Sequence, residues 1–210
     1  MVQITHTGHN LEMLETILLT AQKRFGQFGL AKTTMQEIAD DIGMSKGSIY
    51  YYFPDKQQLY MAVIDREYEQ FLALSNLKLK SLKDPAEMLR QYSTLRLQHI
   101  GSLLNLSRIS NEEMQGLKSL MADKWKIYRE KEEEVICSIL RLGMTRGWFG
   151  RTDPAEIASL YLDILKGLRM SILKHKEFIY LEPDEFEALV RKQELITEIF
   201  INGFKSGKNK

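Results

Sequence analysis

The sequence predicts an all-α fold of about nine helices, and three observations predict it. Apolar residues recur at spacings of three and four along most of the chain. Alternation with a period of two is hard to find over more than a few residues. The four prolines, Pro54, Pro85, Pro154 and Pro183, stand at or just before a helix start, and none falls inside a helical pattern.

Taken in order, residues 1–10 read as a flexible arm. A first helix covers about 11–28, with Leu14, Leu18, Ala21, Phe25 and Phe28 on one face, and Gly29 ends it. Two short helices follow within 34–53. Later helices are expected over 55–80, 85–104, 106–113, 115–146, 154–175 and 184–205, with 206–210 as a basic tail. Asp84-Pro85-Ala86-Glu87 and Asp153-Pro154-Ala155-Glu156 are near copies. In each, Asp suits the N-cap, Pro the first helical position and Glu the positive end of the helix dipole.

Composition narrows the function classes. The chain has 210 residues, 44% hydrophobic and 27% charged, with 29 basic against 28 acidic side chains. A net charge of +1 gives no global attraction to a polyanion, so nucleic-acid binding would need a local patch. The longest apolar runs, 49–53 and 60–64, are far short of the ~20 residues that span a bilayer. No basic start leads into an apolar segment, so no secretory leader is expected. The one cysteine, Cys137, excludes an intrachain disulfide and suits a cytoplasmic location. Neither a Glu-x-x-His pair, a P-loop nor a dinucleotide fingerprint is present, which speaks against an enzyme. No cofactor or metal is expected. His6-x-x-His9 has metal-like spacing but lies in the arm.

The informative stretch is 33–56, TTMQEIADDIGMSKGSIYYYFPDK. Thr34 and Glu37 fit a capping box opening a short helix whose inner side is Ile38, Ala39 and Ile42. Gly43 breaks it. Ser45 caps a second helix, with Met44 placed to staple against Ile49. Two short helices joined by a glycine turn outline a helix-turn-helix. The second exposes Lys46, Gly47 and Ser48 in its first turn, then Tyr50, Tyr51 and Tyr52, which point about 100° apart and cannot all be core. Gly47 leaves room for close approach. Lys46 and Ser48 supply donors to bases or phosphates, and the Tyr and Thr34 hydroxyls can hold phosphate oxygens.

Residues 11–59 resemble the DNA-binding domain of the TetR family of bacterial repressors. The resemblance is carried by Phe25 and Gly29, Thr33-Thr34, Ile38-Ala39, Gly43-Met44-Ser45-Lys46-Gly47, Ile49-Tyr50-Tyr51-Tyr52-Phe53 and Lys56. Tyr52 stands where the family often has His; Ile42 and Met44 also depart from commoner residues. The resemblance implies that Thr34 and Lys56 touch phosphate, that Lys46, Gly47 and Ser48 face the major groove, and that Tyr50, Tyr51 and Tyr52 contact the DNA backbone, with Tyr51 reaching a thymine methyl. It divides the chain into a DNA-binding domain over 11–56 and a C-terminal domain over 57–205. One observation resists: residues 1–56 carry five basic and six acidic side chains.

The resemblance further implies a C-terminal bundle that binds a small-molecule effector and forms a homodimer on a palindromic operator. One apolar face holds Met88, Tyr92, Leu95, His99 and Leu103; another holds Leu117, Met121, Trp125, Tyr128, Glu132, Val135 and Ile139. Tyr92, His99, Met121, Trp125, Tyr128 and Glu132 are the candidate effector pocket. Glu132 needs a partner, Arg96, Arg108, Arg169 or a cationic ligand, unless it sits where its helix emerges into water. Tyr161, Ile164, Leu168, Ile196 and Phe200 are the candidate dimer interface. A helical adaptor that binds protein or lipid is the alternative, against which the 46–56 motif speaks.

Overall fold

The computed structural model describes residues 8–107 and 109–206. Eight helices are formed among the described residues: α1 (Gly8–Lys32), α2 (Met35–Asp41), α3 (Lys46–Tyr52), α4 (Lys56–Lys80), α5 (Pro85–Ser107), α6 (Asn111–Thr145), α7 (Pro154–Leu173) and α8 (Pro183–Phe204). The His6 part of the proposed metal spacing lies outside the described residues, as does Arg108. So do residues 1–7 of the expected arm, while residues 8–10 already belong to α1.

Local chemistry sets the helix ends. Gly29 interrupts α1 with φ 82°, a conformation only glycine adopts without strain. The Asp84 and Asp153 carboxylates each accept a hydrogen bond of 2.8 Å from the amide two residues on, Ala86 and Ala155, as the repeated Asp-Pro-Ala-Glu pattern requires. On α1 the buried row is Ile17, Leu18, Ala21 and Phe25; Phe28, expected in it, is exposed under the Arg24 guanidinium 5.7 Å away.

The expected break near 114 is absent. One 35-residue helix runs through it, and α5 ends at Ser107 instead. Ser110 caps α6, accepting from the Glu113 amide at 3.1 Å while the Glu113 carboxylate accepts from the Ser110 amide at 2.9 Å. The residues before it are extended. Strand β1 (Ile109–Ser110) pairs antiparallel with β2 (Phe178–Ile179), an element too short to leave any periodicity in the sequence.

The 25-residue α4 joins the two halves. Its first half contributes Leu59, Tyr60 and Val63, and its second half Tyr68, Phe71 and Leu79, to a single core that runs from Ile17 on α1 to Ile201 on α8. A smaller apolar cluster, Leu97, Leu173, Leu181 and Leu189, closes the far end. No described helix is long and apolar enough to cross a membrane.

Candidate nucleic-acid interface and effector site

The α2–α3 unit is held by reciprocal caps. The Glu37 amide donates to Thr34 Oγ1 at 3.2 Å, and the Thr34 amide and hydroxyl both donate to Glu37 Oε2 at 2.8 Å. These bonds hold the Glu37 carboxyl below its ordinary pKa. At Gly43 φ is +66°, and the chain reverses there with Met44 donating to the Ala39 carbonyl at 2.8 Å. Ser45 Oγ then accepts from the Ser48 amide at 3.1 Å and starts α3. Ile49 is the inner anchor of α3, fully buried with Ile38 and Ala39 of α2.

Everything else on the first turn of α3 faces outward: Lys46, Gly47 and Ser48 are exposed, as are Tyr50 and, at 73%, Tyr51. A Cβ at Gly47 would meet only Ser45 Oγ, 3.9 Å away, so the outer side of that turn is open to a large partner. The acidic excess is neutralised locally. Arg24 binds both carboxylate oxygens of Asp41, at 2.5 and 2.8 Å, and lies 3.4 Å from Glu37; Arg66 of α4 engages Glu15. Lys46 is left as an exposed cation of α3.

Two residues of the motif are placed differently from the expectation. Lys56 Nζ donates to the carbonyls of Leu30, Ala31 and Thr33 at 2.7, 3.2 and 2.9 Å. An ammonium has three donors, so all of them serve the carbonyls left open at the end of α1. Tyr52 is half-buried and its hydroxyl donates to Asn10 Oδ1 of α1 at 3.2 Å, with its ring edge-on to Tyr51. In this arrangement Lys56 and Tyr52 hold α1, α3 and α4 together rather than facing outward.

In the bundle, α4, α5 and α6 bring an aromatic and charged cluster together. Tyr68 stacks on Tyr128 with centroids 3.9 Å apart and donates to the Tyr128 carbonyl at 2.7 Å. His99 lies parallel to Phe71 at 4.8 Å, and Phe71 meets Tyr92 at 5.9 Å. Glu132 does not emerge into water. The buried Arg96 donates to its Oε2, as does the Tyr92 hydroxyl at 3.3 Å. Burial, with the nearby Glu132 charge second, pushes the Tyr92 hydroxyl far up; burial, helped by Arg96, lowers His99 to about 4. Asp65 accepts from both Tyr128 and Lys124. Of the expected pocket residues, Tyr92, His99, Tyr128 and Glu132 therefore meet. Met121 is buried in the main core, whereas Trp125 is 46% exposed and reaches the cluster only through an edge contact with Tyr128. Tyr68, Phe71 and Asp65 were missed; the Tyr68–Phe71 spacing on α4 is the signal that offers them. Two clefts, of about 500 Å³ between α5 and α8 and about 420 Å³ beside α4, α5 and α6, are not lined by these aromatic residues.

The expected interface residues divide. Tyr161 is fully buried within its own subunit, its hydroxyl bonded to Thr197 at 2.7 Å and its ring 4.8 Å from Phe200, which is buried as well. These two belong to the core, because the helix rows that pack inward are rotated by one position from those assumed. Ile164, Leu168 and Ile196 are half-buried, and the open apolar row of α7 and α8 is formed with Leu160, Leu195 (62% exposed) and Ile199 (57%). Cys137 is buried, donates to the Pro154 carbonyl at 3.3 Å and has its thiol pKa raised by burial.

A family model described as bacterial regulatory proteins, tetR family, matches residues 17–63. The HTH-type transcriptional regulator RutR of Escherichia coli (strain K12) is 32% identical over 113 residues, 52% of this chain and 51% of that protein. The chain thus spans about half the length of the curated relatives it matches. A crystal structure of a transcriptional regulator from Cytophaga hutchinsonii is 36% identical and superposes with a TM-score of 0.86, covering 92% of this chain and 98% of that one. A TetR transcription regulator from Haloarcula marismortui shares the fold, with a TM-score of 0.73 at 20% identity over 93% and 99% of the two chains.

Proposed function

The chain belongs to the TetR family of bacterial regulatory proteins, and from that premise we propose that it is a homodimeric repressor. In this reading it binds a palindromic operator through α3 of each subunit and is released by a small-molecule effector held in its bundle. The observation that carries the DNA-binding part is the outer face of α3. Lys46, Gly47, Ser48, Tyr50 and Tyr51 are all exposed on a helix whose inner side is fixed by Ile49. Such a helix can enter a major groove, with donors on its first turn and tyrosine hydroxyls for the flanking phosphates. Thr34 stands exposed at the N-terminus of α2, where backbone amides favour a phosphate. Lys56 acts indirectly, by fixing the end of α1 against α4.

The exposed Leu160 of α7 and Leu195 and Ile199 of α8 support a second copy as their partner, because two long helices then share the cover of their outward apolar positions. A two-fold pair would present two α3 helices to two half-sites. The effector would meet the Tyr68, Tyr92, His99, Tyr128 and Glu132 cluster. A cytoplasmic setting fits a DNA-binding regulator with one cysteine. Selection of bound duplexes from a random DNA pool at two salt concentrations tests the reading. Recovery of a palindrome whose binding weakens steeply with salt is the expected result; a pool with no enriched sequence would overturn it.

A further inference from the structure

The cleft of about 500 Å³ between α5 and α8 lies on the other side of α5 from the tyrosine cluster. Ser93, Leu97 and Gln98 line it, while Tyr92, Arg96 and His99 turn toward α4 and α6. Its floor is a relay of hydrogen bonds. Thr197 Oγ1 donates its one hydrogen to the Gln193 carbonyl at 2.8 Å, so it can only accept from Ser93 Oγ, 3.1 Å away, and from the Tyr161 hydroxyl, 2.7 Å away. Gln193 Nε2 donates to the Ser93 carbonyl at 2.7 Å and to Ser93 Oγ at 2.9 Å. Every hydrogen of the group is thereby spent, and what remains is an acceptor. Gln193 Oε1 receives no hydrogen bond among the described residues, although the side chain is only 3% exposed. Among those residues the one unpartnered side-chain oxygen or nitrogen sealed from solvent is Ser75 Oγ. Gln193 Oε1 therefore lies open, and it opens on the cleft that Gln193 lines.

The rim is acidic. Arg90 is turned to Glu198, with bonds of 2.5 and 3.1 Å, and to Glu87 at 3.2 Å. The exposed Glu194 has no ion pair or hydrogen bond among the described residues. The lining thus sets one guanidinium against the carboxylates of Glu194 and Glu198. Thr94 spends its hydroxyl hydrogen on the Arg90 carbonyl at 3.1 Å and keeps only lone pairs. Leu97, Phe186 and Val190 form apolar walls, and the Phe186 ring lies so close on Gly101 that a Cβ there would come within 2.7 Å of it.

We propose that this cleft is a second small-molecule site, and that it takes a primary ammonium with a short apolar body. The site stands apart from the tyrosine cluster and does not rest on the effector reading. A shielded acceptor without a partner calls for a donor, and an acidic rim calls for a positive one. A primary ammonium supplies both, with one N–H for Gln193 Oε1 and its charge for Glu194. A quaternary ammonium has the charge without the N–H, and an alcohol the donor without the charge. The apolar walls take the rest of the molecule, and the volume is of small-ligand size. Leu195 stands about 200° round α8 from Gln193, so a second copy seated on Leu195 is directed away from the cleft floor.

Calorimetric binding and thermal unfolding of the full chain test this with hexylamine and 2-phenylethylamine, against hexan-1-ol and trimethylhexylammonium. The two amines should bind and raise the unfolding midpoint. The quaternary ion should bind about tenfold or more weakly than hexylamine, as expected for loss of a hydrogen bond to a charged group, and the alcohol should also bind more weakly. Val190→Phe, which fills the cleft from its wall, should abolish amine binding. Glu194→Lys, on an exposed side chain without a partner, should melt like the wild type and weaken amine binding by about fivefold. A wild type that binds neither amine would overturn the proposal, and so would a quaternary ion or alcohol that binds as tightly as hexylamine. Undiminished amine binding by folded Val190→Phe would place the amine elsewhere, the tyrosine cluster included, and would overturn it too. Should Val190→Phe not fold, Glu194→Lys decides, since undiminished amine binding there removes the proposed site.

Discussion

The α2–α3 unit and the interior of the bundle both place polar groups with care, in opposite ways. In α2–α3 the polar bonds are short-range and close to the surface: Thr34 with Glu37 and Ser45 with Ser48 are three residues apart. In the bundle the polar bonds join distant helices and are shielded from water: Arg96 to Glu132, Tyr161 to Thr197, Gln193 to Ser93. The first arrangement leaves an outer face free for a partner at little cost. The second makes each polar group depend on another helix, so one change there propagates into stability. The difference teaches that the exposed face of α3 is expendable to folding while the interior cluster is not.

The largest effect should come from the interior. Glu132→Gln leaves the Arg96 charge shielded and unpaired and should destabilise the chain by about 3 kcal/mol, read as a shifted denaturant midpoint. Adding Arg96→Met should recover much of that loss; full additivity of the two losses would show that the pair is not coupled.

Next comes acid. The His99 pKa lies near 4 when folded, lowered by burial and then by Arg96, against an ordinary value of 6.5. Between those values the unfolded chain binds more protons, so stability falls as pH drops from about 6.5 to about 4 and changes no further below that. The fall should approach roughly 3 kcal/mol. His99→Gln should flatten this part of the stability–pH profile; an unchanged profile would mean that His99 does not titrate in this window.

On the proposed DNA-binding face of α3 the effect should appear in binding. Lys46→Ala should weaken operator affinity by about 1–2 kcal/mol and lower the salt slope by about one unit, with an unchanged melting temperature. Lys56→Met sharpens the contrast inside the same motif. It should lower stability by roughly 1 kcal/mol through the lost bonds at the end of α1. Loss of DNA affinity with no change in melting would return Lys56 to direct phosphate contact.

The same contrast explains what the sequence disclosed. The caps of α2, α3, α5 and α7, the Gly29 and Gly43 breaks and the Ile38, Ala39, Ile49 core all rest on neighbours within a few residues, where spacing is decisive. Even the missed start of α6 was written locally, in Ser110 and Glu113. The partner of Glu132 was not, because three arginines were compatible with it and only the packing of α5 on α6 selects Arg96. Likewise the inward row of α7 and α8 cannot be told from the outward one when both are apolar: Tyr161 and Leu160 differ by one position, and so do Phe200 and Ile199. Lys56 misled for a related reason. Its side chain reaches back 23 to 26 residues to carbonyls that carry no sequence signal.

The bonds from Gln193 and Thr197 to Ser93 cross 100 and 104 residues of chain. A ribosome adding about 5–20 residues per second needs roughly 5–20 s to cover that distance. For that interval a nascent α5 carries Ser93 without its native partners, on a helix whose Leu97 also awaits Leu189. Helix α8 follows α5 in the chain and carries the groups that pair with Ser93 and pack on Leu97, so a chain that stops before α8 leaves that side of α5 uncovered, a surface for chaperones and proteases to read.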